Sequence, residues 1–468
     1  MNIGLFSIGL DTYWDQFDGL LDNLKGYHNQ INNKLSDLEV NVIDLGMIDN
    51  TEKAQIAAKE FKQSDVEIIF LFVSTYALSS TVLPVVQKAK VPIVILNIQP
   101  VAQLDYASFN AIGDRGKMTG IWLEHCQSCS LPELSSVFNR AGVDYQIVSG
   151  YLQEDYVWRE ICSWVDAAKV ALAMRINRVG VLGNYYGGML DVYSDLTQQS
   201  SVFGNHFEIL EMCELFELRE SVSKQEIETK IIEFNDKFSV SEDCDHLEIE
   251  RAAKTSIALD KLIHNHKLGS LAYYYEGVGE YENIVTSLIA GNTLLTGRGI
   301  PSAGECEIKN VQAMKIMDLF GAGGSFSEFY LSDYIDDVVY LGHDGPAHFA
   351  ISEGSVSLVP LPVYHGKPGK GLSIQMTVKH GDITVLSVVQ HRNGDISLQF
   401  IEGESVEGPV LAIGNTNSRY KFQMGARKFM NLWSAGGPSH HCAIGIGHIG
   451  DKLEKLCKIL GIEAHWIK

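Results

Sequence analysis

The first third of the chain alternates short apolar segments with amphipathic ones, and this alternation constrains the fold more than any other feature. Four apolar segments have the character of strands: NIGLFSIG, VNVIDLG, VEIIFLFVS and VPIVILNIQ. Between them, segments such as TEKAQIAAKEFKQS and STVLPVVQKAK carry apolar residues at helical spacing. Strands that alternate with helices predict a parallel sheet covered on both faces. We therefore predict an α/β N-terminal domain over residues 1–153.

A second series of the same kind follows a long predicted helix over about residues 154–177. RVGVLG, FEILEMC and SLAYYYEG have the character of strands, and LEIERAAKTSIALDKLIHNH that of a helix. The loop GNYYGG matches neither the GxGxxG nor the Walker pattern, which favours a plain strand-to-helix turn over a phosphate cradle. A second α/β domain is thus predicted over residues 154–304.

The last third is richer in predicted strands. SVSLVPLPV, SIQMTVKH, ITVLSVVQH, DISLQFIEG and GPVLAIGN are separated by the turn signals HGD, RNGD and EGES. Short strands joined by such turns are typical of antiparallel hairpins. The predicted fold class is therefore α/β, with two Rossmann-like parallel-sheet domains followed by a β-rich, antiparallel, barrel-like domain over residues 305–468.

Composition excludes several kinds of partner. The net charge of −21 over 468 residues repels phosphate backbones, and no basic run offsets it. We therefore expect neither nucleic acid nor an anionic membrane as a partner. No apolar run approaches the roughly 20 residues that span a bilayer, and the N-terminus lacks the basic region of a signal peptide. The eight cysteines are scattered, unlike a disulfide framework, so we expect a cytoplasmic protein.

Two acids and two histidines in the last third of the chain are candidates for a metal site. Glu305 and Glu328 lie at opposite ends of an apolar segment, and His343 follows in a Gly-flanked turn. His440 and His441 follow the flexible AGGPS loop. Carboxylate and imidazole donors without thiolate suit a harder divalent ion such as Mn²⁺, Mg²⁺ or Co²⁺.

Each of these residues also has an ordinary structural interpretation. Glu305 precedes a helix with apolar residues at helical spacing, so it could simply cap that helix. Glu328 could be a solvated acid, and His343 a hydrogen-bonded turn residue. Adjacent residues of a strand point to opposite faces, so we expect only one of His440 and His441 to be a ligand, while the other contacts substrate.

Two loops of the N-terminal domain are further ligand candidates. They follow the first and third predicted strands, at the carboxyl edge of the sheet where ligands usually bind. The candidates in these loops are Tyr13, Trp14, Thr75 and Tyr76. Aromatic residues that pack on their neighbours are the ordinary alternative.

Four motifs, in this order and spacing, resemble the arabinose/fucose isomerase superfamily: GECEIKNVQAMKIM, GGSFSE, LGH and AGGPSHH. The run GNTNSRYKF and the strand pattern of the first three hundred residues are also similar. The resemblance implies a metal-dependent aldose-ketose isomerase of three domains. It also implies a homo-oligomer, trimer-based or hexameric, with sites where subunits meet.

Residue roles follow from the same motifs. The resemblance implies Glu305, Glu328, His343 and His441 as ligands of a divalent metal, Mn²⁺ above all. His440 matches a histidine that contacts substrate. Glu307 matches an acid that contacts a metal ligand without binding the metal itself. His348 is the alternative to His343 if the turn is shifted. Thr75 and Tyr76 match a Thr-aromatic pair of the family.

The implied reaction interconverts an aldopentose or deoxyaldohexose, L-arabinose-like, with its 2-ketose. A metal bridging two sugar oxygens would stabilise an enediolate as a Lewis acid, with Glu305 and Glu328 as general base and general acid. A hydride shift is the rival mechanism. The loop GLDTYWDQFDG differs from the GSQHLYG-like run of arabinose isomerases, which leaves the sugar open. A sugar-binding or regulatory protein, and a metal-dependent epimerase or lyase, are the alternative functions.

Overall fold

A break in the packing of the chain falls inside one long helix. The computed structural model describes residues 1–361 and 370–468, and it divides into two units, Met1–Leu172 and Ala173–Lys468. The C-terminal unit holds both the second parallel sheet and the β-rich region. The domain boundaries expected after residues 153 and 304 stay a prediction.

The N-terminal unit is built on a five-stranded parallel sheet with the order β2-β1-β3-β4-β5. The strands are β1 (Asn2–Ile8), β2 (Asn41–Ile48), β3 (Ile68–Val73), β4 (Ile93–Gln99) and β5 (Tyr145–Tyr151). β3 is buried along its whole length, as its uniformly apolar sequence predicts. The edge strand β5 was missed because YQIVSGY mixes polar and apolar residues and is largely accessible to solvent.

Helices cover this sheet, and several begin at side-chain caps. They are α1 (Leu20–Ser36), α2 (Thr51–Gln63), α3 (Ser79–Ala89), α4 (Tyr106–Ala111), α5 (Arg115–Glu124), α6 (Gln127–Ala141) and α7 (Asp155–Ile176). Asn50 caps α2 by accepting a hydrogen bond from the Lys53 N–H at 3.0 Å. The helices predicted over residues 51–64, 80–90 and 154–177 are confirmed. Within the described residues, none of the helices has the length and apolar character that crossing a membrane requires.

The C-terminal unit begins with a smaller parallel sheet. Its strands are β6 (Arg178–Gly183), β7 (His206–Leu210), β9 (Ser270–Tyr274) and β10 (Ser302–Ala303), in the order β10-β9-β6-β7, while β8 (Ser239–Val240) lies in a separate small sheet. The helices are α8 (Leu196–Phe203), α9 (Met212–Glu220), α10 (Lys224–Lys237), α11 (His246–His266), α12 (Glu282–Val285) and α13 (Ile289–Gly297). The strand predicted in FEILEMC ends at Leu210, because α9 begins at Met212.

Six antiparallel strands close into a ring, which confirms the predicted barrel-like part. The strands of the last third are β11 (Gly323–Asp333), β12 (Val338–His343), β13 (Ser357–Leu361), β14 (Gly371–Gln375), β15 (Gly381–Gln390), β16 (Ile396–Val406), β17 (Thr416–Lys421), β18 (His441–Ile446) and β19 (Glu463–Trp466). The ring runs β15-β18-β11-β12-β17-β16 and closes through a β15–β16 pairing, with β19 added in parallel to β16. β13 pairs with β14 on one side and with β8 on the other.

Two of the predicted strands in this region need correction. GPVLAIGN is a loop with Val410 and Ile413 exposed, because Gly408 has a positive φ of 145° and Pro409 lacks an N–H. The strand is instead the more polar TNSRYK, buried as β17, where the Thr416 hydroxyl donates to the Ile374 carbonyl at 3.0 Å. SIQMTVKH also ends early, at Gln375, and the last two residues of SVSLVPLPV lie outside the described residues.

A buried helix connects the parallel sheet of this unit to the ring. α14 (Ile308–Leu319) packs on β9 and β10 from one side and on β11, β15 and β18 from the other. Its predicted apolar positions Ile308, Val311, Met314 and Met317 are fully buried. The helices α15 (Ala426–Ala435) and α16 (Gly450–Leu460) complete the unit. The packing of α14 therefore sets the positions of the strands on both sides of it.

Gly324 lies where β11 closely approaches α14, and a larger residue there should lower the stability of the protein. A Cβ on Gly324 would lie 2.6 Å from the backbone oxygen of Met314, and its φ is +122°. We expect Gly324→Ala to destabilise the protein by about 1–3 kcal/mol through strain alone, with the clash added to it. Gly321→Ala is the matched control, since Gly321 also has a positive φ, of +75°, but open space around it. Thermal unfolding compares the variants, and equal midpoints would contradict the prediction.

Candidate metal centre

Three strands of the ring bring Glu328, His343 and His441 together. Glu328 of β11 stands opposite His441 of β18 on one side and opposite Gly342 of β12 on the other. His343 is the last residue of β12. Ligand atoms of the three side chains lie within 4.8 Å of one another. The Phe326 ring packs 4.5 Å from the His343 ring and 4.4 Å from the His441 ring, centroid to centroid, which limits their movement.

Glu305 reaches the same histidine from a strained turn. The turn follows the carboxyl end of β10, and both Glu305 and Cys306 are left-handed, with φ of 55° and 58°. For residues other than glycine this conformation costs about 1–2 kcal/mol each. Glu305 is not a helix cap, since the N-cap position of α14 is Glu307, whose side chain makes no cap bond. Strain of this kind is characteristic of functional sites.

His441 is oriented by Glu307. The Nδ1–H of His441 donates to Oε2 of Glu307 at 2.6 Å, and both side chains are fully buried. Burial is the largest influence on both groups: it raises the pKa of Glu307 to about 7 and lowers the pKa of His441 to about 3. The His441 ring is therefore neutral at neutral pH, and in the tautomer whose Nδ1–H donates to Glu307 the lone pair lies on Nε2. An acid behind a ligand histidine is a common arrangement at metal sites.

The atoms that face one another here fit a divalent ion. Nε2 of His441 and Oε2 of Glu305 are 3.6 Å apart, and within the described part of the chain neither has a hydrogen-bond partner. Buried polar atoms are nearly always paired, so two such atoms that face each other without a hydrogen bond are unusual. The His440 ring is the other neighbour of the Glu305 oxygen, with Nε2 at 3.5 Å. A lone-pair nitrogen and a carboxylate oxygen are both suitable ligands for Mn²⁺, Mg²⁺ or Co²⁺.

The predicted ligands fall into two overlapping groups, one of which also includes the predicted substrate contact His440. One contains Glu305, His440 and His441, the other contains Glu328, His343 and His441. His441 is shared, so binding of a single ion by all four predicted ligands requires Glu305 and the Glu328 group to approach each other. Metal binding by His343 requires a further change. The Gly345 N–H donates to Nδ1 of His343 at 2.8 Å, which places the ring proton of neutral His343 on Nε2. Ligation through Nε2 requires that contact to be given up.

His440 lies beside His441 and not across the strand from it. The two rings are 3.8 Å apart at their centroids, because His440 precedes β18 and strand alternation does not apply to it. This corrects the expectation of opposite faces. Nδ1–H of His440 donates to Oδ2 of Asp191 at 2.6 Å, and Nε2 lies 3.5 Å from Oε2 of Glu305. Burial alone would lower the pKa of His440, but Glu305 and Asp191 outweigh it and raise this pKa to about 9.

His348 is not part of either group. It is buried, its Nε2 lies 3.5 Å from Oδ1 of Asp318, and its N–H donates to the Ser325 hydroxyl. The turn is therefore aligned so that His343, and not the alternative His348, lies beside Glu328. That placement agrees with the predicted set, and the ligand roles themselves stay a prediction.

The four candidates in the N-terminal unit lie where the sheet reverses its order. β1 and β3 are neighbours at this point, and the loops that carry Tyr13, Trp14, Thr75 and Tyr76 follow their carboxyl ends. Within this unit the side chains are engaged locally. The Thr75 hydroxyl donates to the Leu123 carbonyl at 2.8 Å, and the Trp14 Nε1–H donates to Asp49 at 2.9 Å. Their contact with a sugar stays a prediction.

Three residues of the centre were missed in the sequence. Asp191 lies at the end of the loop that follows β6, and Lys309 donates from Nζ to the Asp191 carbonyl while lying 3.9 Å from Glu307. Phe326 packs against two of the histidines. The position of Asp191 after a parallel strand was a usable signal. In the sequence, Lys309 is only a charged residue near the start of an apolar helix, and nothing in the pattern indicates its contact with Asp191.

The fold and the centre together define an α/β protein with a carboxylate and imidazole site at the edge of a β-barrel. Residues 345–467 match the family model described as L-fucose isomerase, C-terminal domain. This match covers the C-terminal part of the chain and supports the resemblance to the arabinose/fucose isomerase superfamily. No curated protein sequence matches the chain.

The strained turn gives a prediction that does not depend on activity. Replacing Glu305 by alanine keeps the left-handed strain, whereas glycine relieves it. We expect Glu305→Gly to be more stable than Glu305→Ala by about 1 kcal/mol. Thermal unfolding of the two variants measures the difference. An alanine variant as stable as the glycine variant would show that the turn is not strained.

Proposed function

We propose that the protein is a metal-dependent aldose-ketose isomerase for an aldopentose or deoxyaldohexose, L-arabinose-like. The observation that carries the proposal is the pair of acids, Glu305 and Glu328, each grouped with His441. A cavity of about 330 Å³ adjoins Glu328, and Asp191 and His440 also line it. This volume is within the range of small-molecule sites.

The residues of the chain divide the work of such a reaction. Glu305, Glu328 and His441 would hold the ion, and His343 would join them once its contact with Gly345 is released. The ion, when bound, would supply Lewis-acid stabilisation of the charge on the sugar oxygens. One carboxylate takes the proton from C2 of the aldose and returns a proton to C1, while the other moves a proton from the hydroxyl on C2 to the oxygen on C1. His440 would contact the sugar.

Further parts of the proposal rest on the resemblance. Mn²⁺ is proposed as the ion, with Mg²⁺ and Co²⁺ as alternatives, and the partner is a small sugar, with neither nucleic acid nor membrane. A cytoplasmic homo-oligomer, trimer-based or hexameric with sites at subunit interfaces, is part of the same proposal. The Thr75, Tyr76, Tyr13 and Trp14 side chains would contact the sugar.

A panel of aldoses and 2-ketoses tests the activity. Purified protein is incubated with Mn²⁺ in D₂O, and interconversion is followed by NMR. We expect conversion of at least one pentose or deoxyhexose, with deuterium entering C1 of the ketose, and loss of conversion after EDTA treatment. Transfer of the C2 protium to C1 with no deuterium from the solvent would indicate a hydride shift. Sugar-dependent thermal stabilisation without any product would favour a binding protein, and activity after complete metal removal would contradict the metal role.

Glutamine variants test the acids. Glu305→Gln and Glu328→Gln keep the size of the side chain but remove the proton-transfer group and a charged ligand, so we expect isomerisation to fall by about 10²-fold or more. Calorimetric titration with Mn²⁺ should show weaker binding in both. Circular dichroism checks the fold. Near-normal turnover in either variant would exclude that residue as acid or base.

A further inference from the structure

Asp191 holds His440 through two hydrogen bonds to one oxygen. Oδ2 of Asp191 accepts the His440 backbone N–H at 3.0 Å and the ring Nδ1–H at 2.6 Å. The two side chains are about equally accessible, 42% and 35% exposed, so the pair lies at the wall of the cavity and not in the core. Two donors on one acceptor fix both the position of the His440 main chain and the rotation of its ring.

The main chain of Asp191 is fixed independently of its carboxylate. Its carbonyl oxygen accepts from the Lys309 Nζ and from the Ser439 hydroxyl, the latter at 3.2 Å. The same loop begins against the strained turn, where the Tyr186 N–H donates to the Glu305 carbonyl at 3.4 Å. The loop over residues 184–194 thus contacts both Glu305 and the His440 segment, and these backbone contacts remain when the Asp191 side chain is changed.

The carboxylate of Asp191 determines where the other ring nitrogen of His440, Nε2, points. With Nδ1 bound to Asp191, Nε2 lies 3.5 Å from Oε2 of Glu305. Glu328 and His440 line the same cavity as Asp191. Rotation of the ring away from Asp191 would move Nε2 off this line and out of reach of a ligand held between the two acids.

We propose that Asp191 is a positioning residue, which acts on the reaction by holding the His440 imidazole with Nε2 facing Glu305 and the cavity. The inference rests on the proposed isomerase function for its catalytic consequence. The hydrogen-bonded contact itself can be tested without any turnover. Asp191 is not among the predicted metal ligands, so we expect its substitution to have little effect on metal affinity.

Two substitutions separate positioning from charge. Asp191→Ala removes both hydrogen bonds, and we expect kcat/KM to fall by about 10- to 100-fold, as when an outer partner of an active-site histidine is lost. Asp191→Asn keeps an acceptor oxygen in the same place, and we expect it to recover most of the activity. Mn²⁺ affinity by calorimetry and the thermal midpoint should stay near wild type in both variants.

The matched control is another accessible histidine–acid pair of the same unit. His266 Nε2 lies 2.7 Å from Glu214 Oε1, with side chains 24% and 37% exposed, and neither residue lines the cavity. Glu214→Ala should therefore leave kcat/KM unchanged. Wild-type activity in Asp191→Ala, or equal losses in Asp191→Ala and Asp191→Asn, would overturn the proposal.

A measurement without turnover keeps this inference separate from the proposed function. In protein labelled with [¹⁵N]histidine, the Nδ1–H of His440 should give a hydrogen-bonded proton signal, assigned by its loss in His440→Gln. We expect the signal in wild type and in Asp191→Asn and its loss in Asp191→Ala. Its persistence in Asp191→Ala would refute positioning by Asp191. A wild-type protein inactive on every sugar would refute the isomerase function, whereas the signal would still report on the contact.

Discussion

The buried hydrogen bond between Glu307 and His441 is the contact on which the centre depends. It joins the start of α14 to the start of β18, and both side chains are inaccessible to solvent. Leaving either group unpaired would cost about 1–3 kcal/mol. Burial keeps the imidazole neutral, and the bond to Nδ1 directs its lone pair toward Glu305. Because both groups of candidate ligands contain His441, an error in its orientation would displace both of them.

Several independent departures from ordinary structure coincide within this small region. Glu305 and Cys306 are left-handed, Nε2 of His441 and Oε2 of Glu305 are orphaned, and burial raises the pKa of Glu307 to about 7. Each feature lowers the stability of the folded protein. The packing of α14 on both sheets offsets this loss. Away from functional sites, most residues have favourable backbone angles, paired polar atoms and ordinary pKa values. A cluster of exceptions therefore indicates a functional site more strongly than any single exception.

Periodicity in the sequence was sufficient for most elements, and it failed where polar groups are satisfied by distant partners. GPVLAIGN has the composition of a strand but is an exposed loop, whereas the polar β17 is buried because the Thr416 and Ser418 hydroxyls bond to residues far along the chain. The site behaves in the same way. Glu305, Glu328, His343 and His441 were identifiable through ordered motifs, but Asp191 is linked to His440 only by a contact across 249 positions. No local pattern encodes such a contact.

The centre is assembled from two kinds of sheet within one unit, and this explains why α14 is buried so completely. The parallel sheet supplies Glu305 after β10 and Asp191 after β6, at the edge where strand carboxyl ends meet. The ring supplies Glu328, His343 and His441. α14 packs against β10 on one side and against β11 and β18 on the other, so its packing sets the distance between the two acids. Changes in its core residues should therefore alter the geometry of the site even though they leave every functional group in place.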